Sequence, residues 1–190
     1  MIDPLLVPFP PSLLGEKTLI RPYVVEDAAA LLAGVEEARS TLLPWMPWAL
    51  NVDTEADQVA RIRRSAANIL LGHDYMLGMF DRTTGEFVGS TGLHRVDWNL
   101  RSFDIGYWIR PSKAGQGYVT DAVRTLTDFA FETFKARRVT ITCSVENSSS
   151  AAVAERAGFK LEGTLRASIL DAYGSAHDRL IYSLVESDRT

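Results

Sequence analysis

The sequence predicts a single α/β domain of the α+β kind, a mixed and mostly antiparallel central sheet with helices packed on it. Three observations predict it. From Tyr75 to Ile109 the apolar period is two, interrupted only by Thr83-Thr84-Gly85 and Asn99-Leu100-Arg101, which reads as three antiparallel strands in succession. On both sides of this stretch the period becomes that of a helix. The chain has 190 residues, 46% of them hydrophobic and 23% charged, enough for one core and without a linker, repeat or low-complexity segment.

Each element follows from local signals. Met1 to Leu14 is apolar with four prolines and no basic start, which reads as an extended arm (residues 1–15) rather than a signal peptide. Thr18 to Tyr23 alternates as a strand, and Val25 to Thr41 is an Ala- and Leu-rich helix with Asp27 in its first turn. Leu43-Pro44-Trp45-Met46-Pro47-Trp48 breaks regular structure twice. Thr54 is placed to cap a helix over Glu55 to Leu71. The strands Tyr75–Arg82, Glu86–Val96 and Ser102–Ile109 follow, then a helix from about Gly117 to Lys135 and a strand over Arg138–Val145. Asn147 opens a shorter helix ending at Ala157, Phe159–Gly163 is a strand, Thr164–Ala176 a loop, and His177–Glu186 the last strand. The core domain is expected over residues 16–186.

Charge and composition exclude some functions. The net charge of −4 argues against generic nucleic-acid binding, and Arg61, Arg63 and Arg64 read as a solvated helix face. No run approaches the ~18 apolar residues of a membrane span. The three histidines and one cysteine are too dispersed for a metal cluster. Cys143 sits in an alternating strand and reads as a core residue; a lone cysteine fits a reducing compartment, the cytoplasm.

The strongest functional signal lies at Gly115-Gln116-Gly117-Tyr118-Val119, between a strand and a helix. Helix N-termini carry unpaired N–H groups and partial positive charge, so this segment is a candidate phosphate site, with Thr120 in the same turn. A dinucleotide fold fits poorly, because the loop follows antiparallel strands instead of opening a βαβ unit.

Together with the element order, these residues resemble the GCN5-related N-acetyltransferases. Ile105-Gly106-Tyr107-Trp108-Ile109 ahead of Gly115-Gln116-Gly117-Tyr118 is similar to their acetyl-CoA pyrophosphate loop. Arg138-Val139 followed by Val145-Glu146-Asn147, Ser150, Ala157-Gly158-Phe159 and Glu162-Gly163 resemble the RimJ/RimL branch, which contains N-terminal acetyltransferases acting on ribosomal proteins. Leu43 to Trp48 and Gly92-Leu93-His94 through Trp98 add to it, and the resemblance covers residues 16–186. Two loop positions depart from the family pattern, Ala114 and Val119; main-chain donors survive both.

The resemblance implies acetyl-CoA as co-substrate, no metal, and a strand pair that splays to admit the acetyl group. Tyr107, Trp108 and Ile109 would then meet the thioester and the pantetheine arm, Gly115 to Thr120 the diphosphate, and Asn147 the arm. The tyrosine acid used by many relatives is replaced by Ala154, so the branch's serine, here Ser150, is the candidate acid; its alternative role is helix capping. Ile169 replaces a glutamate base, leaving His94, Asp97, Asp171 and His177 as candidates. A route with no dedicated base comes first among these, since an α-amine with pKa near 8 is partly neutral already. Trp45, Met46, Trp48, His94 and Asp171 are expected at the acceptor. No activated nucleophile is visible, so direct attack by the amine is expected. A protein N-terminus, a small-molecule amine, a longer acyl group and a CoA-binding module without catalysis all remain open at this level, as does a homodimer.

Overall fold

The computed structural model describes residues 3–51 and 54–189, and in these one sheet runs in the order β1-β2-β3-β4-β5-β6-β8-β7. The strands are β1 (Leu13–Leu14), β2 (Thr18–Pro22), β3 (Tyr75–Asp81), β4 (Phe87–Asp97), β5 (Ser102–Ile109), β6 (Arg138–Ser144), β7 (Lys160–Leu170) and β8 (Ala176–Val185). The helices are α1 (Ala28–Leu42), α2 (Glu55–Leu71), α3 (Tyr118–Glu132) and α4 (Ser148–Arg156). Every neighbouring pair is antiparallel except β5 and β6. A parallel pair needs a crossover, and α3 supplies it.

That parallel pair is short. It joins Ser102 to Arg138, Phe103 to Val139 and Asp104 to Thr140, and then the strands part. β5 stays with β4 as far as Ile109, opposite Gly89, while β6 stays with β8 as far as Ser144, opposite Arg179. The main-chain edge of β5 from residue 105 onward therefore lacks a strand partner. The splayed strand pair expected of the fold is present.

The sheet is covered on both faces. Ala122, Val123, Leu126 and Ala130 of α3 pack with Val88, Leu93, Phe103, Ile105 and Ile141. On the other face Leu31, Val35 and Ala38 of α1 pack with Phe80, Phe87 and Trp108. The buried positions of α1 recur at helical spacing, including Gly34, where a Cβ would come within 2.7 Å of the Phe87 ring. Thr54 caps α2 as its sequence predicts, in a reciprocal pair with Asp57. The arm is packed on the domain through Phe9, whose ring centroid lies 5.6 Å from Tyr75 and 5.0 Å from Phe129. It carries a short 3-10 turn (Pro4–Leu6) and β1; Met1 and Ile2 lie outside the described residues.

One sequence expectation fails. Most of the segment read as a loop, 164–176, is strand: β7 continues to Leu170 and only residues 171–175 turn. β7 is the sheet's edge and is mostly exposed, so it carries no alternating apolar pattern to read. α3 also stops at Glu132, short of Lys135. Cys143 is buried, as its strand pattern predicts.

Candidate active site

Three cavities share walls around β5. One of about 500 Å³ fills the gap between β5 and β6. One of about 660 Å³ lies at the start of α3, and the two share Ile109, Ala114, Val119, Ser148, Ser149 and Val153. One of about 540 Å³ lies on the α1 and α2 side and meets the first along Gly106, Tyr107 and Trp108.

The α3 cavity is built by the glycine loop. Gly115 and Gly117 have φ of 74° and 88°, a backbone region that costs glycine least. Nothing crowds a Cβ at Gly115, so the conformation, not lack of room, calls for glycine there. No side chain caps α3 at Gly117, and its first-turn N–H groups have no partner within the helix. The loop is held from behind: Lys17 Nζ donates to the Gln116 carbonyl at 2.7 Å, and Tyr118 donates its hydroxyl to Asp81. Asp121 accepts from the N–H groups of Glu16, Lys17 and Thr18 and from the Thr18 hydroxyl. Lys113 and Arg156 also line this cavity; Arg156 adds positive charge there, while the Lys113 ammonium is paired with Glu86 at 2.6 Å.

The β5–β6 cavity collects the residues expected around a thioester. Asn147 Oδ1 accepts from Ser150 N–H at 3.0 Å, so Asn147 caps α4 and also lines the cavity. Ser150 Oγ lies 2.9 Å from the Tyr107 hydroxyl, which is also 3.1 Å from the Ser150 carbonyl. Burial pushes the Tyr107 phenol up to about 12, with the Ser150 bond acting the other way, so the phenol keeps its proton at neutral pH. Cys143 also lines this cavity, and burial raises its thiol, which disfavours a thiolate nucleophile.

The third cavity has apolar walls from Leu31, Trp45, Met46, Trp48 and Trp108. The Trp48 and Trp108 rings lie 6.4 Å apart, and the Arg61 guanidinium lies 5.6 Å from the Trp48 ring centre. His94 opens into it with Nδ1 2.7 Å from Asp74 Oδ2. Nothing local marks Asp74 in the sequence, and it is the structure that brings it to His94.

Asp171 is placed differently from the other expected residues. Its carboxylate accepts from Tyr173 N–H and Ser175 N–H, both at 2.8 Å, and lies 3.2 Å from His177 Nε2. Those bonds, led by Ser175, hold the carboxyl below its ordinary range, and it lines none of the three cavities. His177 is spent on Asp171 and Glu146. Asp97 accepts from Asn99 N–H and Leu100 N–H in the β4–β5 turn.

The arrangement suits a nucleotide-bearing thioester: amides for a diphosphate, an open strand edge for an amide-bearing arm, hydroxyls near the gap, and a separate pocket beyond. Comparison with known proteins agrees. The family described as "Acetyltransferase (GNAT) domain" matches residues 17–160. YdaF of Bacillus subtilis is 33% identical over 178 residues, covering 92% of this chain and 94% of the relative. The ribosomal-protein-serine acetyltransferase of Escherichia coli is 30% identical over 135 residues, covering 68% and 74%. The crystal structure of the microcin C7 self-immunity acetyltransferase MccE, in complex with acetyl-CoA and AMP, superposes with a TM-score of 0.87. It is 25% identical, with 95% of this chain and 99% of that one covered.

Proposed function

The chain belongs to the GNAT acetyltransferase family and is an acetyl-CoA-dependent N-acetyltransferase, and from that premise we propose that its acceptor is the N-terminal amine of a ribosomal protein. The observation that carries the proposal is the 30% identity to the Escherichia coli enzyme named for ribosomal-protein serine. The acceptor cavity of about 540 Å³ is consistent with it, lying within the ~300–1,000 Å³ common for ligand pockets. The setting for such a reaction is the cytoplasm.

Acetyl-CoA supplies an acetyl group already activated as a thioester. The amides of Gly115, Gln116, Gly117, Tyr118, Val119 and Thr120 bind the diphosphate, with Arg156 beside them. The open edge of β5 at Tyr107, Trp108 and Ile109, with Asn147 opposite, orients the arm and donates hydrogen bonds where negative charge develops. Ser150 delivers a proton to the departing sulfur, and the Tyr107 hydroxyl, which donates to the Ser150 carbonyl and lies 2.9 Å from Ser150 Oγ, holds that residue in place. Trp45, Met46 and Trp48 wall the acceptor and exclude water, and His94 faces it. Asp171, fully engaged in its turn, acts only by shaping the β7–β8 hairpin, whose Ala172 N–H bonds the Leu43 carbonyl beside the tryptophan segment. Attack is direct, because Cys143 is disfavoured as a thiolate.

A second reading takes a small aromatic amine as acceptor, favoured by the three tryptophans around the cavity. A thiol-release screen separates the two. Peptides with free N-terminal serine and small arylalkylamines are offered with acetyl-CoA, and mass spectrometry locates the acetyl group. Acetylation of the peptide α-amine supports the proposal; acetylation confined to the small amines overturns it.

A further inference from the structure

The acceptor cavity contains an acid–base pair with a defined orientation. His94 Nδ1 lies 2.7 Å from Asp74 Oδ2, and both side chains are about a third exposed. A carboxylate can only accept, so the neutral imidazole carries its hydrogen on Nδ1 and keeps a lone pair on Nε2. Two glycines determine where the ring lies. Gly92 and Gly106 face each other across β4 and β5. A Cβ at Gly92 would come within 2.9 Å of Nε2, and one at Gly106 within 2.9 Å of Cδ2 and 3.2 Å of Nε2. The imidazole thus occupies a hollow that side chains at these positions would fill. Gly106 lines both the acceptor cavity and the β5–β6 cavity, so Nε2 stands against the partition between them.

We infer that the Asp74–His94 pair is the base that prepares the acceptor amine, with His94 as the catalytic residue and Asp74 as its positioning residue. The inference rests on the acetyl-transfer reading above. The acceptor arrives as an ammonium. Nε2 takes one proton from it, and the freed nitrogen lone pair forms the N–C bond to the acetyl carbon as the C–S bond breaks. The second nitrogen proton is matched by the one that Ser150 delivers to sulfur, and the imidazolium returns its proton to solvent. One proton is released per turnover. Asp74 from the α2–β3 turn stabilises the imidazolium. The other charged groups facing it are Asp104 on β5 and Arg61 on α2. Asp104 is itself 3.1 Å from Arg95 Nη1, which leaves Asp74 as the principal counter-charge.

The test uses the full chain, acetyl-CoA, a peptide with a free N-terminal serine and phenethylamine as acceptors. His94→Gln is expected to lower kcat/KM by roughly 10²–10³ at neutral pH. CoA affinity by calorimetry should stay within about twofold, as His94 lies outside the α3 cavity. The acid limb of its pH profile should follow the amine's own titration alone. Asp74→Asn admits the wrong tautomer and should lower kcat about tenfold or more while the KM for acetyl-CoA is unchanged. Nitrogen-15 shifts of the wild-type imidazole should report hydrogen on Nδ1. If wild type acetylates either amine and His94→Gln keeps the wild-type rate and profile, the base assignment falls and the acetyltransferase reading stands. If wild type releases no thiol with either amine, the acceptor reading falls. The imidazole tautomer then decides the pair: hydrogen on Nδ1 supports it, and hydrogen on Nε2 overturns it.

Discussion

Replacing Asp121 with alanine should loosen the mouth of α3 from behind the glycine loop. Its carboxylate accepts from main-chain N–H groups of Glu16 (2.9 Å), Lys17 (3.1 Å) and Thr18 (2.9 Å), and from the Thr18 hydroxyl (2.6 Å). Glu16 and Lys17 reach solvent, so their amides can rehydrate at a loss of roughly 0.5–1 kcal/mol each. Thr18 is fully buried, and its two donors lose about 1–1.5 kcal/mol each. Together these give roughly 3–5 kcal/mol, or on the order of 10 °C in Tm for a chain of this size. The variant should also bind CoA about tenfold more weakly, because the loop must then be ordered by the ligand. Urea denaturation measures the first effect and calorimetry with CoA the second. A stability loss below about 1 kcal/mol would show that Asp121 does not hold α3 to β2, and would refute the account of how the loop is supported.

Gly117→Asp puts a carboxylate and a strained φ beside the diphosphate site and should raise the CoA Kd about 100-fold or more by calorimetry; unchanged affinity would count against the loop. Ser150→Ala should lower kcat by roughly 10–100-fold with little change in acetyl-CoA KM, and Tyr107→Phe by less, with the double variant no worse than Ser150→Ala if the hydroxyls act as a unit. Steady-state kinetics on the three variants decides that. Glu37 is held at about 2 by hydrogen bonds from Ser112 and then by Arg110, well below the ordinary glutamate. A depressed carboxyl stabilises the fold above its unfolded pKa and loses that contribution as pH falls from about 4.5 toward 2. Glu37→Gln should therefore cost about 1–2 kcal/mol at pH 7 and much less at pH 3, read by urea denaturation at both.

Much of the site was legible in local sequence because its parts are local. Gly115 and Gly117 mark a strand-to-helix turn whose amides lie within one short segment, and Asn147 and Ser150 sit three apart on one helical turn. Asp74 was not legible for a specific reason. Counting back from the β3–β4 turn, where Asp81 pairs with Glu86 across the hairpin, would set Asp74 opposite Leu93. An extra residue in β4, Val88, bulges opposite the Met79–Phe80 step of β3 and shifts the register by one, so Asp74 meets His94 instead. Asp171, expected at the acceptor, differs in the opposite sense: its own turn consumes the carboxylate.

What this sequence determines alone is the periodicity, and with it the helices, most strands and the uncapped mouth of α3, since these depend on neighbours in the chain. The tertiary structure decides where β5 leaves β6, which cavities share a wall, and which carboxylate reaches which imidazole. Those depend on register and twist between strands, and in β4 a single bulged residue changes which side chain Asp74 meets.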